Sequence, residues 1–258
     1  MILRRRGRWL IIATLSCAIA AVVLLANCLQ EEDGQEAETS SGESLPELAA
    51  AAEDRLNALE SYRYDSSLAF EIPSAGDELG ATDGSVVAEG EAVPPDAIHH
   101  VATTTLGDVS ADEELVRLPE GNFIKRQDGY TEGLGELNTF IVSAPSLWSE
   151  IAGIAQLLPE DATTGEDIVD GRTAVRYTVE EVRLLWVKDY VLRLFGAVES
   201  AAVLPDFYRM ELWFSQDSGT PLKVTVEGEG IDPQGGTVRF LLDSTISDIG
   251  RQFTIELE

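Results

Sequence analysis

Cysteine is almost missing from this sequence of 258 residues: only Cys17 and Cys28 occur, both near the start. Everything after Cys28 therefore has no disulfide framework, no thiolate metal site and no cysteine nucleophile. Histidine is equally scarce, with only His99 and His100, adjacent in a predicted strand. Neighbouring strand residues point to opposite faces, so the two cannot easily share one metal or one substrate, and they read as ordinary strand residues. Positive charge is thin as well. Lysine is confined to Lys125, Lys188 and Lys223, and 18 basic residues stand against 46 acidic ones, a formal net charge of −28. Nucleic-acid binding needs a basic footprint, so that class of partner is excluded. The same charge repels anionic lipid unless something tethers the chain to a membrane.

Catalytic signatures are missing too. The sequence contains no Gly-x-Ser-x-Gly elbow, no phosphate-binding glycine loop and no His-Glu-x-x-His. No calcium loop of the Asp-x-Asp-x-Asp-Gly kind is present. Carboxylates are so plentiful that no pair stands out as an acid and base. The expectation is a protein that is not an enzyme and has no metal site and no cofactor.

What is present starts with an export signature. Arg4, Arg5, Arg6 and Arg8 precede an unbroken apolar run over residues 9–26. A positive flank before such a run marks a secretory signal or an N-terminal anchor. The run ends Leu25-Ala26-Asn27-Cys28, which resembles a bacterial lipobox, although Asn27 stands where Gly, Ala or Ser is usual. Two outcomes stay open: cleavage before a lipid-modified Cys28, or an uncleaved helix, since about 20 apolar residues span a bilayer. Residues 29–44 are acidic, Ser/Gly-containing and nearly free of apolar side chains, so they cannot offset their ordering entropy by burial. The expected organisation is a signal peptide or anchor over 1–27, an acidic flexible tether over 28–44, and one domain over 45–258.

That domain has 44 % hydrophobic residues in the whole chain behind it, enough for a sizeable core. Ser44-Leu-Pro-Glu47 is a capping-box pattern that opens a helix with Leu48, Ala52, Leu56 and Leu59 at helical spacing. From Tyr62 the period changes to two, with Tyr64, Ser66, Leu68, Phe70 and Ile72 on one face of a long strand. Further strands are expected over 84–92, 96–106, 113–118, 122–126 and from Tyr130, with Asp128-Gly129 a strong hairpin signal. A second helix is expected over 146–158, a strand from Asp170-Gly171, and a third helix over 182–198 with no internal breaker before Gly196. Strands return over 208–215, 222–230, 237–244 and 252–258. Helix, strands, helix, strand, helix, strands is the order of an α+β domain: a curved antiparallel sheet with helices covering one face.

The informative residues are apolar. Helix 182–198 has more large side chains than one packing stripe needs, and such a helix over a curved apolar sheet can enclose a cavity, with ordinary close packing as the alternative. Candidate lining residues are Leu68, Phe70, Leu185, Val191, Leu192, Phe195, Leu212, Val224 and Phe240.

Three segments resemble the LolA-like lipoprotein carriers, particularly the LppX/LprG type. They are Leu56-Asn-Ala-Leu-Glu-Ser-Tyr-Arg-Tyr64, Asp170-Gly-Arg-Thr-Ala-Val-Arg-Tyr-Thr-Val179 and Glu211-Leu-Trp-Phe-Ser-Gln-Asp-Ser-Gly-Thr-Pro-Leu-Lys-Val-Thr-Val226. The resemblance implies a half-open β-barrel whose helices close an apolar cavity holding acyl chains. It implies a membrane-tethered extracytoplasmic lipoprotein that binds and carries a lipid or other long apolar ligand, with Cys28 as lipid anchor and 182–198 as a lid. The corresponding location is the extracytoplasmic face of the cell membrane, held by lipid or by a single N-terminal transmembrane helix. The rival readings are an RseB-like envelope sensor that binds a partner protein, and an accessory envelope lipoprotein with a filled core.

Overall fold

Ser44 caps the first helix: its backbone N–H and its Oγ both donate to the Glu47 carboxylate, at 2.8 and 2.9 Å. The backbone bond is the Glu47 half of the capping box that the Ser-x-x-Glu pattern specifies, with Pro46 in the first turn. A computed structural model describes residues 42–73, 82–95, 97–127, 129–133, 138–195 and 204–257. All of these belong to the compact unit Ala37–Glu258. The arginine flank, the apolar run, Cys28 and the tether up to residue 41 lie outside the described residues, as do 196–198 of the third predicted helix.

Helices α1 (Leu45–Ala50) and α2 (Ala52–Asn57) meet at Ala51, which keeps right-handed helical dihedrals. Their apolar stripe of Leu45, Leu48, Ala49, Ala52 and Leu56 is fully buried. Six strands follow: β1 (Tyr62–Glu71), β2 (Asp83–Val93), β3 (Ala97–Leu106), β4 (Val109–Leu118), β5 (Gly121–Arg126) and β6 (Gly129–Gly133). A 3-10 turn over Asn138–Val142 leads into α3 (Ala144–Ile154), capped by Ser143 Oγ accepting from the Ser146 N–H. Then come β7 (Thr163–Val169), β8 (Arg172–Val182), α4 (Leu185–Phe195), β9 (Tyr208–Ser215), β10 (Pro221–Ile231) and β11 (Thr237–Ser247).

All eleven strands form one antiparallel sheet in the order β6-β5-β4-β3-β2-β1-β11-β10-β9-β8-β7. The sheet is open and curved, and the fold is α+β, as the alternation of periods predicts. Register decides which side chains turn inward. Tyr64, Ser66, Leu68 and Phe70 on β1 stand opposite Ile246, Ser244, Leu242 and Phe240 on β11, and all eight are buried. The two serines are the only polar members of that double row, and their hydroxyls bond each other at 2.7 Å. Burying both as a pair avoids leaving either unsatisfied. Helix α3 packs on α1 and α2 and reaches β1 and β11, so the helices gather on this inner face.

Three expectations need correction. Strand β7 was not expected. It is polar along most of its length, but Asp170 and Gly171, both at positive φ, turn it tightly back onto β8. The third helix starts at Leu185 rather than 182, because β8 runs on to Val182. Residues 251–257 form no strand despite their alternation. Strand β11 already pairs with β1 on one side and β10 on the other, so the chain leaving it meets no free neighbouring edge. The segment is pinned instead by Ser61, whose Oγ donates to the Arg251 carbonyl at 2.6 Å.

Candidate functional site: a cleft at one end of the sheet

The predicted lining residues separate into three groups. Leu68, Val191, Leu212 and Val224 are fully buried and close-packed in a single cluster that joins sheet and helices. Phe70 and Phe240 belong to the same cluster but also border an open cleft. Leu185 and Leu192 face solvent, 63 % and 38 % exposed, so neither lines an interior space. The reason is angular. Leu184, just before the helix, and Val187 and Val191 are buried in the core, and Leu185 and Leu192 each lie one residue, about 100° of helical turn, further on. The side chain of Phe195 and the anchor Cys28 lie outside the described residues.

The cleft has a volume of about 630 Å³, within the range of small-molecule sites. It sits where β1 and β10 end and β9 and β11 begin, beside the end of β8. Of the aromatic residues along it only Phe207 presents its ring, whereas Phe70, Tyr208 and Phe240 are 2–3 % exposed with their rings on the buried inner face. The Tyr208 and Phe240 rings meet edge to face, with centroids 5.7 Å apart at 76°. Gly228 makes this possible, since a Cβ there would lie 2.6 Å from the Tyr208 ring. Phe207, by contrast, is 58 % exposed at the mouth. The Tyr208 hydroxyl is buried with no hydrogen-bond partner among the described residues, and burial pushes its ionisation well upward.

The rim is charged. Glu71, Glu180, Glu181, Glu227 and Glu229 line it together with Arg209 and Arg239. Both arginines are already paired: Arg239 with Glu71 at 3.5 Å and Glu229 at 3.3 Å, Arg209 with Glu180 at 3.1 Å and Glu211 at 2.8 Å. Strand β8 loses register between Val179 and Val182, and Glu181 sits at φ 55, in the left-handed region that non-glycine residues avoid. Such bulges re-aim side chains at sheet ends. Glu180, Glu181, Phe207, Tyr208 and Arg209 escaped the sequence reading. Gly228 and Gly230 inside an otherwise buried-face strand register were the available signal, because glycine there marks a close approach by another chain segment.

The histidines occupy opposite faces. His99 Nε2 is 3.1 Å from Glu114 Oε1 on the outer face, while His100 is fully buried inside, its Nδ1 2.8 Å from the Tyr64 hydroxyl. Burial pushes the His100 pKa down to about 4, so the ring is neutral at ordinary pH. Among the described residues no group of three or more His, Cys, Asp or Glu is placed to hold a metal. No helix among them is long and apolar enough to cross a membrane.

No protein-family profile matches the chain, and no curated protein matches it. Among solved structures it is similar to LprF from Mycobacterium bovis, with 13 % identity over 85 % of this chain and 98 % of that one, and a TM-score of 0.43. A LolA superfamily protein from Nitrosomonas europaea shares 8 % identity over 82 % and 95 % of the two chains, with a TM-score of 0.31. A DUF1329 family protein from Desulfovibrio piger shares 11 % over 80 % and 93 %, with a TM-score of 0.23. At such identities and TM-scores these likenesses transfer no ligand and no residue role.

Proposed function

We propose that this chain is a membrane-tethered extracytoplasmic lipoprotein that binds and carries a lipid or other long apolar ligand, without catalysing a reaction. The observation behind this reading is the cleft itself: an opening of about 630 Å³ at one end of the sheet, with Ala69, Leu241 and the exposed Phe207 as apolar side chains along it. Each methylene buried there would contribute about 0.8 kcal/mol, so a modest length of chain suffices for binding. Cys28 would carry the anchor, with the arginine flank and apolar run before it as the export signal, and residues 29–44 would give the reach.

The test is uptake of a fluorescent dodecyl amphiphile by the full chain in lipid nanodiscs, with empty discs as the blank. Binding is expected for the wild type and a several-fold loss for Phe207→Asp, a mouth residue exposed enough to change without unfolding the domain. Wild-type signal equal to the blank would sink the reading.

A further inference from the structure

We infer that the outer face of the sheet carries a docking groove for an extended peptide segment of a partner protein, with an aromatic side chain at its centre, and that residues 251–257 of this chain occupy that groove as a loose stand-in. The groove is separate from the cleft and does not depend on the apolar-ligand reading. Strand register lays out its floor. Ser247, Arg63, Glu91, His99, Val116 and Phe123 stand opposite one another in turn on β11, β1, β2, β3, β4 and β5, one continuous row across the outer face. The far end of the row is apolar, with Val116 buried and Phe123 half-buried although both stand on the outer side. The chain leaving β11 turns at Asp248 and Gly250, both at positive φ, and comes back along this row. Phe253 lies against the Arg63 guanidinium, 5.8 Å from it to the ring centre. Beyond it, Thr254, Ile255 and Glu256 border a space whose other walls are Glu91, His99, Glu114, Lys125 and Tyr130. Phe253 and Ile255 are half-buried while Thr254 and Glu256 are exposed, so alternate side chains face the sheet.

Two observations make this a site for another peptide rather than finished packing. First, the hold is slight. Among the described residues no backbone hydrogen bond joins 252–257 to the sheet; the last are made by Gly250 and Arg251. The segment crosses the strands instead of running beside one, so it has no ladder to join. Second, the fit is poor. About 400 Å³ stays open between the segment and its floor, whereas protein interiors are close-packed. A side chain larger than Ile255 fits there, and the walls favour a ring. His99 and Tyr130 both reach the Glu114 carboxylate, and Lys125 Nζ sits 2.9 Å from it. That carboxylate is thereby satisfied, which leaves ring faces and a half-exposed ammonium to meet an aromatic guest.

The experiment opens the groove in the full chain, held in detergent. Phe253→Ser/Ile255→Ser removes both inward side chains but keeps the bond from Ser61 to Arg251, and a second version ends at Gln252. A fluorescent peptide of residues 251–257 is titrated into each and into the wild type, with anisotropy as the readout. Binding to the opened chains is expected, and roughly tenfold weaker binding to the wild type, where the tethered segment competes at high effective concentration. The peptide carrying Ile255→Trp should bind several-fold tighter than its parent, and His99→Ala in the opened chain should abolish that gain. No binding to an opened chain that keeps its far-UV circular dichroism, or equal affinity for the two peptides, overturns the inference. Concentration-dependent dimers of the wild type that the opened chains do not form would give the groove to the same segment of a second copy, and would overturn it as well.

Discussion

Tyr64 on β1 reaches over the whole width of β2 to place its hydroxyl 2.8 Å from Nδ1 of His100 on β3. The residue between them, opposite Tyr64 on one side and His100 on the other, is Gly90. The pair is walled by Phe140, whose ring meets the histidine edge-on at 5.5 Å. His100 thus occupies an apolar interior with one hydrogen bond and with Nε2 unpartnered among the described residues.

A pH dependence follows from the direction of the shift. The folded-state pKa of about 4 lies below the ordinary 6.5, so the unfolded chain binds the proton more readily. Stability from this group is complete above about 6.5, falls as pH drops, and levels off below about 4. The total is roughly 3 kcal/mol at 1.36 kcal/mol per unit. Urea melts between pH 7 and 4 should show the loss in the wild type, and His100→Phe should flatten that part of the profile. A profile identical in both would dismiss the assignment.

Gly90→Ala tests the crossing directly. A Cβ at that position would overlap the Tyr64 ring, which has a strand on each side and little room to retreat. Overpacking of this sort costs about 1–3 kcal/mol, and a matching fall in Tm is expected. Gly90→Ala/Tyr64→Ala should recover part of the clash energy relative to the sum of the single changes.

Helix α4 gives a paired comparison. Val191→Ala removes fully buried methyl groups and should cost about 2 kcal/mol, whereas Leu192→Ala, at a half-exposed site, should cost under about 1 kcal/mol. Denaturant midpoints measure both. The reverse order would place the helix in a different rotation from the one described.

Gly228→Ala addresses the cleft. Its new methyl group would press on the Tyr208 ring, which in turn stands against Phe240. Overpacking of these buried rings should cost about 1–3 kcal/mol, read as a fall in Tm. An unchanged Tm would mean that the Tyr208 ring has room to retreat.

Cys28→Ala tests the tether. Loss of membrane retention, or accumulation of an unprocessed precursor by mass spectrometry, is expected if Cys28 takes a lipid. Unchanged size and retention would assign the anchoring to residues 9–26 as an uncleaved helix.

Much of the sheet was legible because strands such as β1 and β11 alternate cleanly between buried and less buried residues, a period that a half-buried strand needs. The helix at Ser44 was legible because its cap is local. The parts that escaped depend on neighbours. The polar strand β7 exists because β8 offers it an edge, and 251–257 fails to become a strand because β11 offers none. The cleft escaped for the same reason: Phe207, Glu181 and Gly228 are far apart in sequence, and only the register of β8, β9 and β10 brings them to one place.

Ten strand pairings build the sheet, and nine of them join strands that follow one another in the chain; the exception is β1 with β11. Its register joins Arg63 to Ser247 and Glu71 to Arg239, so its two sides are separated by most of the domain. Each of the other pairings closes a shorter loop and can form early, leaving two ribbons, β1 to β6 and β7 to β11. Joining them is the costly encounter, since long loops must close before any contact rewards them. The seam that carries the double row from Tyr64 to Phe240 is therefore the kinetic bottleneck of folding. Cutting the backbone between the ribbons, after β6, should leave two fragments that reassemble by that seam and by the packing of α3 on α1 and α2, at a rate set by their concentration.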